Sequence, residues 1–102
     1  KREILQKLCD QLEMVERYED LHYWAGVWRK LDGRDVTGRA YWFESMRHME
    51  GRDEEGRLGL QEAWQRFPSN TSLAEFHAKA LLESGDRRGA LLVLGEVTSS
   101  GS

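Results

Sequence analysis

A turn signal recurs in this chain at an interval of thirty-four residues, with Gly51-Arg52 answered by Gly85-Asp86. The register holds on both sides of it. Gly56 maps onto Ala90, Leu60 onto Leu94 and Ala63 onto Val97, and ahead of the turn Ala40 maps onto Ala74. A helical repeat needs small residues where two helices cross closely, a glycine or polar break between them, and a stop before the next unit. Each of these is present at the spacing of one helical hairpin.

The middle unit predicts a first helix over Thr37 to Glu50, a break at Gly51-Arg52, and a second helix over Asp53 to Phe67 that ends at Pro68, the only proline. In the last unit Ser69-Asn70-Thr71 offers an N-cap for a helix over Ser72 to Ser84, Gly85 ends it, and another helix runs from Arg87 to Val97. The first third reads the same way with a spacing one residue longer, giving helices over Arg2 to Val15 and Tyr18 to Leu31. In the second of these, Leu21, Trp24, Trp28 and Leu31 recur at amphipathic steps. The expectation is an all-α domain over 1–98 of three hairpins, 2–31, 37–67 and 72–97, with six helices. The serine- and glycine-rich end 99–102, of the kind vectors append, is expected as a flexible tail.

At 102 residues this is one domain's worth of chain. The net charge is −3 and the arginines are scattered, which argues against nucleic acid as the main partner. No apolar run approaches membrane-spanning length and no signal peptide is visible, although the chain starts at Lys1 and a targeting segment could precede it. The single Cys9 lies among Leu5, Leu8 and Leu12 and reads as a buried apolar residue, in keeping with a reducing, cytoplasmic setting.

The residues Ala40, Phe43, Glu44, Arg47, Gly56, Leu60, Ala63 and Pro68 of the middle unit, with Ala74, His77, Ala78, Leu81, Ala90, Leu94 and Val97 of the last, resemble the tetratricopeptide repeat family. The resemblance covers nearly the whole chain. Glu44 stands where the family has a small residue and Arg47 where it has an aromatic one, so the first helix of this unit must pack differently. His77 is the clear departure in the last unit.

The resemblance implies a right-handed α-α superhelix whose first helices line a concave groove, acting as a non-catalytic module that binds a peptide or partner protein. In that frame Gln6, Asp10 and Glu13 face the groove from the first unit, Tyr41, Ser45 and His48 from the second, and Glu75, Lys79 and Leu82 from the third. The family's clamp for a chaperone carboxylate would fall on Gln6, Asp10, Trp42, Ser72 and Phe76, none of them cationic, so that specialisation is not expected. The acidic residues Asp10, Glu13, Glu75 and Glu83 against Lys79 favour a neutral or basic segment. The alternative reading is an accessory or regulatory helical domain of a larger enzyme, packed on its catalytic domain.

Catalytic and metal-binding readings find little support. His22, His48 and His77 lie in different units, without the helical spacing that would bring two imidazoles to one metal. Asp53-Glu54-Glu55 opens a helix, where carboxylates favour the positive end of the dipole. No nucleophile motif or phosphate loop accompanies them, and no cofactor is expected. The other aromatic residues read as packing residues, with Tyr41 singled out as a contact residue. The last helix carries Leu91, Leu92 and Val93, more apolar surface than one hairpin covers. Those residues are expected to meet either a further segment of a longer chain or a second copy, in a homodimer.

Overall fold

The computed structural model describes the backbone of residues 2–101 and the side chains of residues 2–95. Six helices follow one another: α1 (Arg2–Met14), α2 (Tyr18–Leu31), α3 (Val36–Arg47), α4 (Asp53–Arg66), α5 (Thr71–Glu83) and α6 (Arg87–Gly101). No strand occurs among the described residues. Two boundaries differ from the sequence reading by more than one residue. Helix α3 stops three residues early, at Arg47 with His48 as its cap. Helix α6 continues to Gly101 through most of the segment expected as a tail. Ser102, the rest of that segment, and the side chain of Val97 lie outside the described residues.

The starts of α3, α5 and α6 are set by short polar side chains. Asp35 accepts a hydrogen bond from Thr37 N at 3.1 Å at the head of α3. Asn70 accepts from Leu73 N at 3.0 Å at the head of α5, and Asp86 from Gly89 N at 2.8 Å at the head of α6; each satisfies an otherwise orphaned N–H. Two ends share one device. At the end of α5, Asp86 N bonds Leu81 O and Gly85 N bonds Leu82 O, with Gly85 at φ 91°. At the end of α1, Arg17 N bonds Leu12 O and Glu16 N bonds Glu13 O, with Glu16 in the left-handed region at φ 59°.

Each helix packs on the next in sequence, and α3 also packs on α1 and α5. Helix α3 therefore touches α1, α2, α4 and α5 and is the most enclosed element. Its crossing with α4 depends on Gly56: a Cβ there would sit 2.6 Å from Phe43 O and Arg47 N, so only glycine allows the approach. The main core joins Cys9 of α1, Leu21, Ala25 and Trp28 of α2, Ala40 and Tyr41 of α3, Leu60 of α4, and Leu73 and Phe76 of α5. A second cluster, Ala74, Ala78, Ala90 and Val93 with Trp64 and Leu81, fastens α6 to α5 and α4. The small residues that share the thirty-four-residue register, Ala40 with Ala74 and Gly56 with Ala90, are all buried.

Candidate functional site

The C-terminal halves of α3 and α5 and the end of α1 meet around a buried ion pair. Glu44 is fully buried, at 0% exposure. Its carboxylate takes two parallel hydrogen bonds from Arg47, Nε to Oε1 at 2.8 Å and Nη2 to Oε2 at 3.0 Å. The remaining Arg47 nitrogen, Nη1, reaches Glu83 on α5 at 2.9 Å. A bidentate fork of this kind is what makes a buried carboxylate tolerable. Burial works against the Arg47 charge, yet the bonds to Glu44 and Glu83 outweigh it and raise its pKa further. The Arg47 hydrogen bond holds the Glu83 carboxyl below its usual value, against a smaller effect of burial.

Around this pair, His48 Nε2 lies 3.3 Å from Glu44 Oε2, and its ring stacks on Tyr18 at 3.7 Å with the planes 6° apart. Burial, aided by the Glu44 charge, pushes the Tyr18 hydroxyl up to about 12. Lys79 crosses from α5 to α1 and donates to Glu13 Oε2 at 2.6 Å. Burial opposes the Lys79 charge, but the Glu13 bond and charge prevail and raise its pKa. Sequence reading missed this network, though a signal was present: Glu44 and Arg47 are opposite charges three residues apart on one helix.

The residues expected on a binding groove divide. Glu13, His48 and Lys79 belong to the network just described. Asp10 is exposed, with its carboxyl raised by burial and then by the Glu13 charge. Glu75 and Leu82 are exposed on α5. Gln6 lies toward the other end of α1, where it accepts from Arg2 at 3.1 Å.

Tyr41 and Ser45 are not on a surface. Tyr41 is 3% exposed, with its ring 5.9 Å from Trp28 and 5.1 Å from Phe76. Ser45 is buried between α3 and α2. The reason is the central position of α3: with neighbours on four elements, it has little free face to give to a groove.

Ser45 and His22 stand 2.8 Å apart, the spacing of a nucleophile and its base, but the proton runs the other way. The one hydroxyl hydrogen of Ser45 goes to Trp42 O at 2.6 Å. His22 Nδ1 must therefore donate to Ser45, leaving Nε2 to accept from Arg52 at 3.3 Å. Burial, with the charges of Arg52 and Arg29, lowers the His22 pKa and keeps the ring neutral. This is a structural tie between α2, α3 and the turn before α4. His77, buried by α5 packing, is likewise lowered by burial and lines a hollow of about 250 Å³ with Glu54, Arg57 and Gln61. The described residues include no group of three or more His, Cys, Asp or Glu arranged to hold a metal. No helix of the described residues is long and apolar enough to cross a membrane.

At the far end of the molecule, Leu91 and Leu92 of α6 are 70% and 68% exposed. Val93, expected to share their face, is instead 3% exposed and packs inward with Ala74, Ala78 and Ala90. One residue's step of 100° around the helix separates the two environments. No family model matches the chain, and neither a curated protein nor a solved structure matches it.

Proposed function

We propose that the chain is a non-catalytic protein-interaction module, a right-handed stack of three tetratricopeptide-like hairpins whose α1–α3–α5 side receives a neutral or basic segment of a partner. The observation that carries this reading is the line of contacts from α1 through α3 to α5, with a mostly acidic set of side chains along it. Glu13 and Glu83 are neutralised by Lys79 and Arg47. Asp10 and Glu75 are exposed and take part in no ion pair within the described residues, so they are the carboxylates available to an incoming lysine or arginine. The recognition surface is shallower than the sequence frame implied, because Tyr41 and Ser45 are withdrawn into the core.

Fluorescence anisotropy with synthetic peptides of graded charge tests this. Basic peptides are expected to bind and to weaken with added salt. Asp10→Lys should lower their affinity, and Lys79→Glu, which frees Glu13 and adds a carboxylate, should raise it. Affinities indifferent to both substitutions would remove the assignment of this face.

The exposed Leu91 and Leu92 favour a second reading, an accessory or regulatory helical domain that packs through α6 on the catalytic part of a larger enzyme or on a second copy in a homodimer. In that case no peptide of either charge would bind the isolated chain.

A further inference from the structure

On α4, Glu54, Arg57, Leu58 and Gln61 follow one another at three- and four-residue steps and form one stripe. His77 and Leu81 of α5 face that stripe, and together these side chains line the hollow of about 250 Å³. It opens between α4 and α5, neither of which is a terminal helix.

His77 sets this hollow apart from an ordinary surface dip. The residue is 7% exposed, and one repeat earlier the same register position is Phe43, which has no polar group to satisfy. Its ring packs beside Trp64 with 5.3 Å between centroids. The buried Trp64 Nε1 itself has no hydrogen-bond partner among the described residues, so the indole supplies none to the imidazole. Neither nitrogen of His77 is bonded among the described residues. Buried polar side chains are nearly always hydrogen-bonded. Burial keeps this ring neutral, with one N–H to give and one nitrogen to accept. The partner open to it is a molecule that enters the hollow it lines.

The polar side chains around His77 are unbonded as well. Glu54 and Gln61 make no side-chain hydrogen bond among the described residues, and Arg57 is met only by Asp53 at 3.8 Å, too far for one. Other charges nearby are committed or turned away. Glu55 pairs with Arg52 at 3.6 Å, while Lys79 and Glu83 are tied to Glu13 and Arg47. Glu75 lies two residues before His77, which puts it on the opposite side of α5.

A guanidinium fork matches a carboxylate, and Glu54, one turn away on the same helix, matches an ammonium. Leu58 and Leu81 offer apolar surface to a side chain. A zwitterion adds no net charge beside the acidic start of α4, and the volume, below that of drug-sized pockets, restricts the occupant to a small molecule. We propose that the hollow binds a free α-amino acid with a branched apolar side chain, its carboxylate on Arg57 and the His77 N–H, its ammonium on Glu54, and its side chain between Leu58 and Leu81.

Calorimetric titration of the intact chain with L-leucine, together with NMR of the histidine and indole signals, tests this. L-leucine should bind with a Kd of about 1 mM and shift the His77 ring and Trp64 indole N–H resonances while leaving those of His22 and His48 in place. Isocaproate, which lacks the ammonium, isoamylamine, which lacks the carboxylate, and glycine, which lacks the apolar stem, should each bind roughly tenfold more weakly or worse. Glu54→Gln and Arg57→Gln, at positions open to solvent, should weaken L-leucine by a similar factor with the circular dichroism unchanged, and His77→Leu should do the same.

Resonances that stay fixed up to about 10 mM L-leucine overturn the inference. Isocaproate or isoamylamine binding as tightly as L-leucine also overturns it, and so does an affinity indifferent to both Glu54→Gln and Arg57→Gln. Asp10→Lys lies outside the hollow and should leave L-leucine binding unchanged, so the peptide reading and this one can fail separately.

Discussion

Glu44 and Arg47 show how two individually unfavourable residues become one tolerable group. Alone, a carboxylate at 0% exposure would be expelled or protonated; with a two-pronged partner three residues on, it holds the last turn of α3 to α5 through Glu83. Removing one member should therefore cost more than removing both. Arg47→Met is expected to lower unfolding free energy by about 3–5 kcal/mol, since it strands the Glu44 charge, while Glu44→Met with Arg47→Met should recover most of that loss. Urea denaturation of the three proteins measures it; equal losses in the single and double variants would show that the pair itself, rather than the stranded charge, carries the stability. The same scale explains why Tyr41 misleads a sequence reader. An aromatic residue on a solvent face and one wedged between Trp28 and Phe76 have the same letter and the same helical phase. Only the neighbours distinguish them.

At the scale of elements, the starts and stops were largely legible because they rest on local chemistry. Asp53, Tyr18 and Arg87 begin helices where the turn and charge signals placed them, and Asn70 caps from within the expected Ser69-Asn70-Thr71. The early end of α3 was not legible: His48 N bonds Ser45 O and Met49 N bonds Met46 O, tight three-residue turns that close the helix ahead of Gly51 and that no residue identity there announces. Nor does anything in the identity of Glu16 announce a left-handed residue, whereas Gly85 announces itself. The two perform the same task with different tolerance for change. Gly85→Ala forces a Cβ into φ 91° and should cost about 1–2 kcal/mol, read as a lowered Tm in calorimetry. No neighbouring atom lies within 4 Å of the added Cβ, so a loss there would be one of backbone conformation alone.

The whole molecule responds to pH through two imidazoles, His77 buried and His22 half-buried. His22 and His77 both have folded-state values below the ordinary 6.5, from burial in both cases and from Arg52 and Arg29 at His22. Below pH 6.5 the unfolded chain takes up protons more readily than the folded one, so their contribution is complete above that pH and is lost as pH falls through the lowered values. The urea midpoint should therefore drop between pH 7.5 and 5.5, and His77→Leu should flatten part of that slope. A second loss is expected below the ordinary carboxylate range. Burial alone would raise the Asp35 carboxyl, but hydrogen bonds from Arg2 and Trp28, the Arg2 charge and Thr37 N–H together lower it, and Glu83 is lowered by Arg47. Their contribution is present above the unfolded values of 3.8 and 4.5 and disappears as pH falls through the depressed ones. A midpoint flat from pH 7.5 to 5.5 would contradict the lowered values of the two histidines.

What the sequence determined by itself was the count, order and approximate span of the helices, because a thirty-four-residue recurrence, glycine breaks and capping side chains act over a few residues and need no distant partner. What only the tertiary structure decided was which polar residues are available. The enclosure of α3 by four other helices turned Tyr41 and Ser45 into core. The same enclosure joined Glu44, Arg47 and Glu83 into one network and left Asp10, Glu75 and the leucines of α6 facing outward. Burial is a property of the assembled neighbours, and helical phase constrains it only to within a face.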